Sequence, residues 1–131
     1  MILKEIIAKI EEQFPSVYQE DYDNSGLICG SDDLEINGIN ICVDVTEDVL
    51  NEAIKNGQNL IVSHHPILFK GIKKLKGSNY VERILIQAIK NDIAIYAVHT
   101  NMDNMWFGIN TYLANLFGLK NIQVLKPLEK A

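Results

Sequence analysis

The sequence predicts one α/β domain: a mixed, mostly parallel sheet flanked by helices. Three observations carry that prediction. Short apolar runs at 26–30, 39–45, 60–62, 93–98 and 122–125 read as strands. Amphipathic stretches alternate with them, and strand, helix, strand in succession fits a right-handed crossover between parallel strands. A length of 131 residues suits a single domain over 1–131, with enough chain to bury a core.

Composition narrows the function classes. Hydrophobic residues at 47% and charged residues at 22% match globular averages, so neither disorder nor a fibrous repeat is indicated. No apolar run approaches the roughly 20 residues of a membrane helix, and the first 14 residues are too evenly charged for a signal peptide. A cytoplasmic protein with no membrane partner is the expectation. A formal net charge of −5 argues against a broad footprint for nucleic acid, so an anionic ligand must be caught locally. Cys29 and Cys42 lie in apolar segments without the spacing of a zinc ribbon or redox pair, and read as reduced core residues.

Taken in order, Leu3, Ile6, Ile7, Ile10 and Phe14 recur at helical spacing, predicting an amphipathic helix over 2–13 stopped by Pro15. Residues 16–25 form a polar, acidic loop in which Tyr22, Asp23 and Asn24 are most simply a turn. A short strand bracketed by Gly26 and Gly30 follows. After a second polar connection, 39–45 reads as a buried strand and Thr46 as the N-cap of a helix burying Val49, Leu50, Ala53 and Ile54. Glu47 and Asp48 suit its positive first turn, and Asn56-Gly57 closes it.

Leu60, Ile61 and Val62 make the next strand, which stops at Ser63, His64 and His65; Pro66 keeps His65 out of the helical region. A long loop over 66–78 leads to a helix over 80–90 burying Val81, Ile84, Leu85 and Ala88. Strand 93–98 then runs into His99-Thr-Asn-Met-Asp103. A helix over 108–117 is expected to turn Ile109, Leu113, Leu116 and Phe117 inward, with Gly118 capping it before a last strand at 122–125. The tail from 126 onward reads as a frayed end or a cut.

Ligands of an open parallel sheet bind beyond the carboxyl ends of its strands. Three predicted parallel strands end in Asp44, in His64 and His65, and in His99 followed by Asp103, so all five fall on one edge. Imidazole with carboxylate suits zinc, iron, manganese or nickel. Neighbouring residues in extended backbone point in opposite directions, so His64 and His65 are expected to splay and serve two ions, with Asp103 bridging them. That expectation weighs against a mononuclear phosphoesterase.

A single histidine at a strand end is ordinarily a satisfied loop residue. Two adjacent ones, sharing an edge with His99 and Asp103, tip the balance toward metal. His99 stays open between ligand, general acid or base, and plain packing. Asp44 reads as a turn or capping residue rather than a ligand. Lys70, Lys73, Lys74 and Lys76 are most simply a solvated surface, although beside metal ions they would favour a phosphorylated or otherwise anionic substrate.

Five segments together resemble a known family. They are Tyr22-Asp-Asn-Ser-Gly-Leu-Ile-Cys-Gly30, Val43-Asp-Val-Thr-Glu47, Ser63-His-His-Pro-Ile-Leu-Phe-Lys-Gly71, His99-Thr-Asn-Met-Asp103 and Gly108-Ile-Asn110 with Leu113-Ala114. In this order they are similar to the dinuclear metal-centre proteins related to NGG1-interacting factor 3, often labelled type 2 GTP cyclohydrolase I homologues. The resemblance implies an α/β fold, a two-metal site with His64, His65 and Asp103 as matching ligands and His99 close by, and a hexameric ring. Family members have been linked to GTP cyclohydrolase and other hydrolytic reactions, and some look like interaction proteins.

One departure matters. Family members continue into a second half carrying a further histidine and a glutamate, and this sequence ends at Ala131 without them. It is expected to be an amino-terminal part of a longer protein, with an open site that holds metal loosely. The leading expectation is therefore a metal-dependent hydrolase, or half of one, acting on a nucleotide or phosphorylated substrate with His99 as proton carrier. The rival is a non-catalytic metal-binding scaffold.

Overall fold

The computed structural model describes residues 1–127. Helix α1 (Leu3–Gln13) is followed by a single 3-10 turn (Ser16–Tyr18) and β1 (Gly26–Cys29). β2 (Ile39–Cys42), α2 (Glu47–Lys55) and β3 (Leu60–Ser63) come next, then α3 (Tyr80–Lys90), β4 (Ala94–Ala97), α4 (Thr100–Asp103) and α5 (Ile109–Leu116). The tail expected to fray lies outside the described residues except for Lys126 and Pro127.

The sheet has the order β1-β4-β3-β2. β2, β3 and β4 are parallel, with Ile39 opposite Leu60 and Leu60 opposite Ala94. β1 runs antiparallel to β4, pairing Gly26 with Ala97, and is irregular between Leu27 and Cys29. This reversed strand explains the mixed sheet. It also puts the loop that enters β1 beside the carboxyl end of β4.

Each face of the sheet buries its own apolar cluster. α1 covers Leu60, Ala94, Tyr96 and Val98 with Leu3, Ile6, Ile7 and Ile10. α2 and α3 cover Ile61 and Ile95 with Leu50, Ala53, Ile84, Leu85 and Ala88. Side chains of this size gain about 1.5–3 kcal/mol each when fully buried. Thr46 caps α2 by accepting from the Val49 N–H at 3.2 Å, and Asn79 caps α3 by accepting from Glu82 N–H at 2.9 Å. Gly30, at φ +125°, sits where a Cβ would come within 2.7 Å of the Ala94 Cβ, so the chain leaves β1 on a position that only glycine suits.

Several expectations fail, among them the burial of Ile54, which is 38% exposed on α2. β2 is an edge strand whose Ile41 is 80% exposed, because the cluster beneath α1 draws on β1, β3 and β4 and leaves the β2 face open. α5 buries none of its residues; it packs on α4 beyond the sheet, and Phe117, expected inward, is 75% exposed. No strand forms over 122–125: β1 and β2 hold the sheet edges, and this short run finds no ladder partner among the described residues. Cys29 and Cys42 are unpaired, as expected, but only partly buried, and burial pushes both thiols above their usual range.

Candidate metal centre

The carboxyl ends of β2, β3 and β4 face one way, and the polar residues that follow them meet there. The parallel ladder continues past β3. His64 N–H donates to the Cys42 carbonyl at 3.1 Å and His65 N–H to the Val43 carbonyl at 2.9 Å. The buried Ser63 hydroxyl donates to the His65 carbonyl at 2.9 Å, closing the turn. Val98 N–H donates to the Ser63 carbonyl at 2.8 Å, bringing His99 alongside.

The imidazoles of His64, His65 and His99 form a triangle with ring centroids 4.9, 5.2 and 5.6 Å apart. Their ligand nitrogens all lie within 4.8 Å of one another. His64 and His65 therefore do not splay. The backbone bends at both residues, so strand alternation no longer governs where their side chains point. The ground for setting aside a single-ion site falls with it.

Each ring is held by its Nδ1. His64 Nδ1 lies 3.0 Å from the Val98 carbonyl, His65 Nδ1 2.7 Å from Asp44 Oδ1, and His99 Nδ1 2.8 Å from Asp23 Oδ1. All three partners are acceptors, so each Nδ1 carries the proton and each Nε2 is left for a ligand. A ligating histidine ordinarily donates its second nitrogen to a carboxylate or carbonyl in this way. The residues present therefore fit a borderline divalent ion.

Asp103, at the end of α4, places Oδ1 3.7 Å from His64 Nε2. That is too long for a hydrogen bond and near the roughly 3.4 Å between two ligands of one tetrahedral ion. Among the expected site residues, His64, His65, His99 and Asp103 thus come together. Asp44 joins them through His65, not as a helix cap.

Asp23 is the residue that the sequence left as a turn. Its side chain is 0% exposed. It accepts from His99 Nδ1, from the Thr100 N–H at 3.0 Å and the Thr100 hydroxyl, and from the Ser25 hydroxyl at 2.7 Å. Burial pushes its carboxyl up, but the hydrogen bonds from Thr100, His99, Ser25 and Asn24 outweigh that and hold it well below the usual carboxylate range. Its place in the Tyr22–Gly30 segment was the signal in sequence; its contact with His99 depends on the antiparallel pairing of β1, which no periodicity announces.

Phe69 packs edge-on against His99, with centroids 6.0 Å apart. It also lines an open cleft of about 700 Å³ whose walls include Lys70, Lys73, Lys74, Lys76 and Tyr80. Phe69 thus links the lysine-lined cleft to the histidine triangle.

Comparison with known proteins shows the family and the fold. A family model described as Duf34/NIF3 (NGG1p interacting factor 3) matches residues 1–131. A Staphylococcus aureus (strain COL) protein named GTP cyclohydrolase 1 type 2 homolog is 39% identical over 125 residues, covering 95% of this chain and 34% of its own length. The crystal structure of a Bacillus cereus protein related to NIF3 superposes with a TM-score of 0.92 at 39% identity, over 98% of this chain and 36% of that one. Reduced HcgD from Methanocaldococcus jannaschii gives 0.88 at 35% identity, over 96% and 50%. The chain thus spans about a third of the length of the curated relatives it matches. With a match along its whole length and the same fold in these relatives, the chain belongs to the Duf34/NIF3 (NGG1p interacting factor 3) family.

Proposed function

We propose that this chain carries the histidine-rich part of a divalent metal centre, in which His64, His65 and His99 supply Nε2 and Asp103 supplies a carboxylate. One observation carries the reading: three imidazole ligand nitrogens within 4.8 Å of one another, each ring backed at Nδ1 by an acceptor. The three histidines, from two strand ends, lie close enough to share one ion, and Asp103 stands beside them at 3.7 Å from His64 Nε2. A second ion, as in a dinuclear centre, would share Asp103 and take further ligands from outside these residues.

The activity that follows is metal-dependent hydrolysis of a nucleotide or other phosphorylated small molecule. A bound divalent ion supplies Lewis acidity and lowers the pKa of water near it. The chain's own residues supply the rest. The lysines of the 70–76 loop give local positive charge in an acidic protein, and Phe69 shields one side of His99 from water. The name of the Staphylococcus aureus relative supports a GTP-like substrate and a ring-opening hydrolysis.

The test is titration of the metal-free chain with zinc or cobalt, beside His64→Ala. Saturable binding by the parent chain, reduced at least tenfold in the variant, supports the site; equal binding by both removes it. Turnover of GTP, other nucleotides and phosphoesters is then screened with manganese, zinc or iron.

A second reading, a non-catalytic metal-binding module that works through association, is favoured by a different observation. α5 and the chain around it expose Trp106, Phe107, Leu116, Phe117 and Leu119, large apolar side chains of the kind that mark a contact surface when they lie together. Homo-oligomeric assembly is part of that reading. Saturable turnover lost in His64→Ala would decide for the enzyme; metal binding without turnover on any substrate would decide for the module.

A further inference from the structure

We propose that Asp23 is the positioning residue of this site: it selects the protonated nitrogen of His99 and fixes the rotation of that ring, so that Nε2 faces His64 and His65. The inference rests on the metal-centre reading and deepens it.

The three histidines are held unequally. His64 leans on a neutral carbonyl, that of Val98. His65 leans on Asp44, whose side chain is largely exposed, so water can replace it. His99 alone leans on a fully buried carboxylate.

Asp23 cannot rotate away from His99. Its Oδ2 takes hydrogen bonds from the Ser25 hydroxyl and from both the N–H and the hydroxyl of Thr100, while Oδ1 accepts from the Asn24 N–H at 2.6 Å and from His99 Nδ1. Thr100 is fixed in turn, since its hydroxyl oxygen accepts from the Glu20 N–H at 3.0 Å. His99 N–H donates to the Asn101 side-chain oxygen at 3.0 Å, which pins the backbone from which the ring hangs. The carboxylate is therefore a fixed acceptor set by four hydroxyl and amide donors, and imidazole is its fifth partner.

A charged acceptor matters here because an imidazole with its Nδ1–H donated to a carboxylate is a better donor at Nε2. An asparagine at position 23 keeps the shape but can offer N–H as well as oxygen to the ring. It would thus no longer choose between the two tautomers.

The experiment uses long-range proton–nitrogen NMR of the imidazoles in the metal-free chain at alkaline pH, where neutral rings report their tautomer. The expected result is a His99 with its proton on Nδ1 in the parent chain, and a mixed or Nε2–H population in Asp23→Asn. Zinc affinity of Asp23→Asn, measured by calorimetry, is expected to fall about 10- to 100-fold. A parent spectrum with the His99 proton on Nε2 overturns the proposal, and needs no variant that folds. So does Asp23→Asn with an unchanged His99 tautomer, or with a changed tautomer and unchanged zinc affinity. If neither protein binds zinc, the metal reading fails, while the tautomer of His99 still decides the role of Asp23.

Discussion

Asp23 and His99 lie 76 residues apart in the chain and 2.8 Å apart in the fold. The pairing exists because β1 enters the sheet against the direction of β4. Gly26 faces Ala97, and Asp23 and Ser25 just before it reach the two residues that follow Val98.

That pair gives a prediction in acid. The Asp23 carboxyl is held below its ordinary value of 3.8 in the fold. The unfolded chain therefore binds more protons near that pH, and stability rises with pH there. The contribution is complete above the unfolded value and is lost as pH falls below it toward the folded one. Urea unfolding from pH 7 to pH 2 should show the parent chain losing stability below about pH 5. Asp23→Asn should lose less over the same range, starting about 1–3 kcal/mol less stable at neutral pH.

Asp103 should matter to the ion and not to the fold. Its carboxylate is partly exposed, and its backbone carbonyl, which accepts from the Asn110 amide at 3.0 Å, survives substitution. Asp103→Asn should leave the unfolding free energy of the metal-free chain within about 0.5 kcal/mol. Zinc affinity by calorimetry should fall at least about tenfold, or about 1.4 kcal/mol.

The turn between α4 and α5 depends on Gly108. A Cβ there would run into the carbonyl oxygens of Met102 and Met105, backbone atoms that cannot swing away. Gly108→Ala should cost about 2–3 kcal/mol by urea unfolding. Gly71, where a Cβ meets open space, is the control, and Gly71→Ala should stay within about 0.5 kcal/mol.

The two apolar regions should respond in opposite ways. Ile61 is fully buried between α2, α3 and its strand neighbours, so Ile61→Ala should cost about 2–5 kcal/mol. Leu116→Ser and Phe117→Ser change side chains that are mostly exposed, and should shift stability by about 0.5 kcal/mol or less. Sedimentation should show less self-association in these serine variants than in the parent chain.

Much of the fold was legible because local chemistry decided it. Thr46, Asn56-Gly57 and Pro15 punctuate helices wherever they occur, and the parallel order of β2, β3 and β4 followed from crossover helices of ordinary length. The meeting of His64, His65, His99 and Asp103 then followed from topology alone. What the sequence hid depends on partners far along the chain. Ile41 and Phe117 look like core residues, yet no layer covers them among the described residues. The expected strand at 122–125 had the right composition and no edge to join. The His64 and His65 rings turn together because Val98 and Asp44 hold their Nδ1 atoms, and neither contact is local.

The histidine triangle has a thermodynamic consequence. Its donors hang on two different strand ends, and their anchors come from one of those strands, from a third and from the loop before a fourth. No partly folded chain can present them together. A ligand of the three nitrogens would bind only the complete fold, and at a hundred times its dissociation constant it would add about 2.7 kcal/mol to global stability. Occupancy would then be written into the melting temperature of the whole sheet, so a shift on adding zinc would report the far ends of the chain meeting.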